Sequence, residues 1–254
     1  PYGESQFLGF ETYACVTYSR LHKIATTLNN MLVLNMIPAA DLQKCKDWGY
    51  IDNTGKFRFS PRFTAKHSGT VYQGLNKGNG LTNVGDDVRK FGLIPYAMYP
   101  SEGVVTVDEY YKQLTPDLVS FAKNILTIFD FPYEWVVEGN CGPAAIDVMK
   151  QALQQSPLQI ARPSCPRDAK GIQQPCGTCV TQHATEIYNI NDLIREFDQY
   201  DPYFNRLALN YTIPWVLKGA VTIKSLQTPE LQLPFNHAFY INMQFDQRSE
   251  EVRW

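Results

Sequence analysis

The residues able to do chemistry begin with Cys15, in "GFETYACVTYSRLHKI" at 9–24, where an irregular, polar lead-in becomes a helix-like run. A free cysteine in such a place is either a small buried hydrophobe or a nucleophile. As a nucleophile it needs a lowered pKa. A helix N-terminus supplies partial positive charge, a neighbouring imidazolium supplies more, and an amide or carboxylate must hold the imidazole ring. The chain has four histidines. His22 lies two turns into the helix that Cys15 opens and cannot reach back to its start, and His67 sits in a Gly-rich stretch. His183 and His237 each open a strand-like run, "QHATEIYNI" and "NHAFYIN". Asp198 follows His183 by 15 residues, and the intervening "DLIREF" is long enough to carry the chain away and return it beside the histidine. After His237 only 17 residues remain, with Asp246 in a charged tail, so His183 with Asp198 is the favoured pair and His237 the alternative base.

The elements that must position these groups can be read coarsely. From Cys15 to about Asn35 the apolar positions Val16, Leu21, Ile24, Leu28, Met31 and Leu32 recur at helical spacing. A short helix is predicted near 40–48. The turn at Asn53–Gly55 bends a short strand. A further helix near 82–91 stops at Gly92. In "TPDLVSFAKNILTIF" Thr115 is the predicted N-cap and Pro116 the first helical residue. "YEWVVEG" reads as a strand, "GPAAIDVMKQALQQ" as a helix and "PLQIA" as a short strand; 162–181 is a loop or insertion. Beyond it come "HATEIYNI", a short helix-like "NDLIREFDQY", and strands in "YTIPWVLKGAVTI" and "NHAFYINMQF". Helices crowd the first half and strands the second, which is α+β segregation. No internal repeat or clear linker divides the chain.

Bulk properties bound the remainder. The 254 residues make one large domain or two small ones. A net charge of −2 with no Lys/Arg run argues against a nucleic-acid surface. No apolar stretch approaches the ~18–20 residues of a membrane span. The sequence begins at Pro1, so a signal peptide, propeptide or upstream domain could precede it, and localisation stays unassigned. Of six cysteines, Cys141, Cys165, Cys176 and Cys179 cluster; disulfides, plain thiols or a four-thiolate zinc site are all open. Gly78–Asn79–Gly80 is not followed by a helix that carries the Lys-Ser/Thr of a phosphate loop.

A cysteine opening the first long helix, "HA" opening a late strand, and a polar residue some fifteen positions later follow the order of the papain-like cysteine peptidases. "KHSGT…GNGLTNVGDDVRKFGLIPYAMYP" and "MKQALQQSPLQIA" resemble the Gly-rich segment and the helix–strand pair that precede the active histidine there. "DQYDP" resembles divergent members, often from phage and uncultured microbes, in which Asp replaces the usual Asn. The resemblance spans roughly residues 5–225 and implies a single catalytic domain over 1–254. Its fold would be two-lobed, with a helical lobe over about 1–130 and an antiparallel β-rich lobe over about 131–254. It implies Cys15 as nucleophile, His183 as general base and acid, and Asp198 as orienter, with Asp201 as the alternative. The family's oxyanion-hole glutamine stands six residues before the cysteine; here that position is Gly9, and Gln6 is the nearest glutamine. A lead-in longer by three could still bring its amide to the thiolate. "TYACVTYS" also departs from the family's usual Gly/Ser before and Trp after the cysteine. The implied activity is a cysteine endopeptidase that acts on polypeptide through a thioester, without metal or organic cofactor. A transglutaminase-like acyl transferase, or an inactive papain-like binding module within a larger assembly, are the alternatives.

Overall fold

The computed structural model describes residues 4–141, 145–174, 182–203, 207–210 and 217–223. Its helices are α1 (Cys15–Val33), α2 (Ala39–Asp47), α3 (Pro61–His67), α4 (Leu81–Phe91), α5 (Val107–Tyr110), α6 (Pro116–Ala122) and α7 (Ile146–Leu153). Its strands are β1 (Tyr133–Cys141), β2 (Leu158–Pro163), β3 (Ile172–Gln173), β4 (Gln182–Asn191), β5 (Glu196–Tyr200), β6 (Leu207–Asn210) and β7 (Leu217–Ile223). They form one sheet in the order β1-β7-β2-β4-β5-β6-β3. Every pairing is antiparallel except the two-residue β3, which runs parallel to β6. The sheet is therefore mixed, but antiparallel apart from that one short strand. The α+β class stands.

Local chemistry explains most of the helix ends. Thr115 caps α6 by accepting from the Leu118 N–H, with Pro116 in the first turn, and Ser60 does the same for α3 through Phe63. Gly92 ends α4 at φ 83°, and a Cβ there would lie 2.0 Å from the Ala122 carbonyl oxygen. Only glycine fits that approach.

The long α1 is enclosed between the helices and the sheet. Ile24, Leu28 and Met31 pack into an apolar core with Phe57, Val84, Leu93 and Phe129. Toward the sheet its contacts are polar. Gln159 of β2 donates from Nε2 to the Val16 carbonyl at 2.7 Å and to Ser19 Oγ at 2.8 Å. His22 bonds the buried Glu186 of β4 and stacks on the Tyr200 ring at 3.7 Å between centroids. Buried polar groups are tolerated only when partnered, so these bonds fix where the first turns of α1 meet β2 and β4. A second core lies between α7 and the sheet, built on Met149, Leu153, Ile160 and Phe197.

One sequence expectation fails here. "NDLIREFDQY" is not a helix; it is the turn and return strand of a hairpin formed by β4 and β5. Asn191 Oδ1 accepts from the N–H groups of Leu193 (3.1 Å) and Ile194 (3.4 Å), and Arg195 takes φ 57°. An Asx turn followed by a left-handed residue reverses the chain. Leu193 is 93 % exposed, so its apolar character, which suggested a helix face, reflects no burial.

Candidate active site

Cys15 is the first residue of α1. The N-cap position is Ala14, which offers no side-chain acceptor, so no side chain caps the first turn and its N–H groups keep their partial positive charge. The lead-in is tightly folded. Thr12 Oγ donates to the Gln6 carbonyl at 2.9 Å, Phe7 and Glu11 form a β-bridge, and Tyr13, just before the N-cap Ala14, sits at φ 57°.

His183 lies near the start of β4 and is 5 % exposed. The β4–β5 register pairs Glu186 with Tyr200 and Ile187 with Gln199. Extended back along both strands, it brings residue 203 opposite His183, and the Tyr203 ring does stand 5.1 Å from the imidazole. Asp201, just past the end of β5, reaches the ring: His183 Nε2 and Asp201 Oδ1 are 2.9 Å apart. The Cys15 side chain is also near enough to act on the His183 ring. The structure thus brings Cys15, His183 and Asp201 together, with a hydrogen bond between the last two.

Asp198, the orienter favoured by spacing, is elsewhere. It pairs with Asn189 across the hairpin and accepts from Asn189 Nδ2 at 2.9 Å. Asn189 is six residues beyond His183, roughly 20 Å along an extended strand. A spacing of fifteen falls short because β4 runs on to Asn191 before the chain turns at 192–195, so the residue facing His183 comes later in the sequence. Asp201, the alternative, occupies that place. His22 is committed to Glu186, and His67 Nδ1 bonds Asp87 at 2.8 Å. His237 lies outside the described residues. Gln6 is 1 % exposed. Its Nε2 donates to Glu11 Oε1 at 2.8 Å, and its main-chain N–H to the Pro202 carbonyl at 2.9 Å, beside Asp201.

Burial opposes the charged form of His183, but the Asp201 hydrogen bond and the nearby Cys15 and Asp201 groups outweigh it. The pKa is pushed up from 6.5 to about 9. Burial also opposes ionisation of Asp201. The His183 bond, the charges of His183 and Arg162 and the Tyr203 N–H together hold its carboxyl below the ordinary value of 3.8. Sequence reasoning missed three supporting groups: Arg162, which pairs with Asp201 at 2.7 Å, Tyr203, and Glu11, which accepts the Tyr203 hydroxyl. A signal for the first existed. An arginine inside the apolar run "LQIARP" must find an acceptor if that strand is buried.

Among the described residues no group of three or more His, Cys, Asp or Glu side chains could hold a metal ion. Cys165 is disulfide-bonded and has no thiolate to give zinc; Cys141 ends β1, while Cys176 and Cys179 lie outside the described residues. No helix among the described residues is long and apolar enough to cross a membrane.

Neither protein-family models nor curated protein sequences match the chain. Solved structures do. Xylellain, a cysteine protease from Xylella fastidiosa, is similar with a TM-score of 0.59 at 14 % identity, over 84 % of this chain and 80 % of that one. The Carica candamarcensis cysteine protease CMS1MS2, solved in complex with E-64, gives 0.50 at 14 % identity over 86 % and 90 %. Digestive procathepsin L 3 of the Tenebrio molitor larval midgut gives 0.52 at 10 % identity over 87 % and 65 %. The fold that carries Cys15, His183 and Asp201 is therefore that of the papain-like cysteine proteases.

Proposed function

We propose that the chain is a cysteine endopeptidase with Cys15 as nucleophile, His183 as general acid and base, and Asp201 as the residue that holds the ring. The observation that carries this reading is that Cys15, in the uncapped first turn of α1, is near enough to act on His183, whose ring Asp201 holds at 2.9 Å. A thiolate beside an imidazolium is the reactive form of such a pair.

The thiolate of Cys15 attacks the scissile carbonyl carbon and forms a C–S bond. The Cys15 backbone N–H and Gln6 Nε2 receive the oxyanion. The imidazolium of His183 gives its proton to the amine as the C–N bond breaks, which leaves a thioester. Water then gives a proton to the neutral imidazole and attacks the thioester carbon. The C–S bond breaks, the carboxylic acid leaves, and the thiolate–imidazolium pair is restored. The substrate is polypeptide. E-64 occupies the Carica protease, which makes the same compound a direct probe of this chain.

The experiment is selective labelling. E-64 or iodoacetamide is expected to modify Cys15 and leave Cys45, a built-in control whose thiol is pushed up to about 12, chiefly by burial. His183→Ala abolishes the labelling near neutral pH and His237→Ala leaves it intact. Equal reactivity of Cys15 and Cys45 would refute the enzyme reading. Turnover of peptide with and without an added amine separates hydrolysis from acyl transfer.

A further inference from the structure

The two oxygens of Asp201 face different partners. Oδ1 serves His183 Nε2 and the Tyr203 N–H, each at 2.9 Å, while Oδ2 receives Arg162 Nη2 at 2.7 Å. Arg162 lies on β2 directly opposite His183 in the β2–β4 pairing, and its side chain is 0 % exposed. Its remaining contacts are neutral: Nε donates to Gln199 Oε1 at 3.1 Å and Nη1 to the Pro163 carbonyl at 2.8 Å. Gln199 Oε1 also accepts from Thr185 Oγ at 3.2 Å. The guanidinium is thus fixed at three of its donors, and Asp201 is the one carboxylate bonded to it among the described contacts.

Burying a guanidinium carries a large desolvation penalty, and an apolar residue would fill the same space with a smaller one. The charge therefore needs a reason beyond packing. A lone buried carboxylate 2.9 Å from an imidazole holds the imidazolium so firmly that it becomes a poor proton donor to a leaving amine. A cation on the far oxygen offsets that charge while it leaves the acceptor in place.

We propose that Arg162 is a positioning residue that neutralises Asp201, so that His183 is oriented by a net-neutral Asp201–Arg162 pair rather than by a free carboxylate. The ionisable groups around the ring are Cys15 from α1, Arg162 from β2, and Asp201 and Tyr203 beyond β5, with Glu11 behind the Tyr203 hydroxyl. Arg162 is the cation among them. The inference rests on the peptidase reading for its purpose, and its test does not.

The test follows the His183 ring by nuclear magnetic resonance as pH is varied, in the full chain and three variants. Arg162→Gln is expected to raise the ring titration by about one pH unit, and Asp201→Asn to lower it by about as much. The double variant Arg162→Gln/Asp201→Asn, a neutral pair of similar shape, returns it to the wild-type position. A purely structural arginine would lower stability without moving the titration in opposite directions. Should Arg162→Gln fail to fold, the double variant and Arg162→Lys, which keeps the charge, carry the test, and both are expected to titrate as wild type. A double variant displaced by a full unit, or an Arg162→Gln ring that titrates unchanged, overturns the proposal. A chain that titrates as expected yet hydrolyses no peptide overturns the peptidase reading and leaves the charge compensation standing.

Discussion

Oδ1 of Asp201 accepts from His183 Nε2 and from the backbone N–H of Tyr203, both at 2.9 Å. The second bond is an Asx turn that ties the carboxylate to its own main chain, and Pro202 restrains Asp201 to an extended conformation. The imidazole is therefore referenced to backbone rather than to a freely rotating side chain. Asp201→Ala removes that reference and is expected to lower kcat/KM on a fluorogenic peptide by about 10²-fold through misplacement of the ring. Asp198→Ala loses only the bond to Asn189 and stays within about a factor of two. Equal losses in the two variants would reject Asp201 as the orienter.

The pH dependence follows from two shifts of opposite sign. His183 titrates near 9 in the fold against 6.5 outside it. Its contribution to stability is complete below about 6.5 and is lost as pH rises through about 9. Asp201 is held below 3.8, so its contribution is present above that value and disappears as pH falls through the depressed one. Peptide hydrolysis should therefore fall on the alkaline side with an apparent pKa near 9, and urea unfolding should show stability declining over the same range. In His183→Ala the alkaline decline in stability should shrink. An unchanged decline would assign it to other groups.

How far the sequence could be read depended on how local the determining interactions are. The span of α1, the cap at Thr115 and the stop at Gly92 are set within one or two turns of chain, and pattern suffices for them. The partner of His183 is set by a tight turn at 192–195 and a register irregularity between Ile187 and Asn189, and a count of residues sees neither. The buried polar face of α1 is still less local. Arg20 donates to the Leu81 carbonyl at 3.0 Å, and His22 meets Glu186, 164 residues away. Such pairings make a helix look less amphipathic than its burial requires, because sequence hydrophobicity counts each partner as exposed.

Gly92 offers a test of the scaffold that is independent of the chemistry. Its φ is 83°, and the Ala122 carbonyl oxygen stands 2.0 Å from the place a Cβ would take, which leaves no room for a side chain. The same carbonyl accepts the Leu93 N–H at 3.1 Å, so it cannot retreat without breaking that bond. Gly92→Ala is expected to destabilise the fold by roughly 3 kcal/mol, read as a lowered urea midpoint. A variant of wild-type midpoint would mean that α4 and α6 pack differently from this arrangement.

Gln6 carries the remaining question about the site. Its backbone is fastened on both sides, by its N–H to the Pro202 carbonyl at 2.9 Å and by its carbonyl to Thr12 Oγ at 2.9 Å. One side-chain N–H is committed to Glu11 at 2.8 Å. A primary amide has a second, and that is the donor assigned above to the oxyanion. Glu11 also accepts the Tyr13 N–H at 2.8 Å and the Tyr203 hydroxyl, so it sets which end of the amide is nitrogen. Gln6→Ala is expected to lower kcat about 10²–10³-fold with KM little changed. Alkylation of Cys15 by iodoacetamide forms no oxyanion and should proceed at the wild-type rate. If alkylation falls as steeply as hydrolysis, the substitution has disturbed the fold of the lead-in, and the second oxyanion donor must be sought elsewhere.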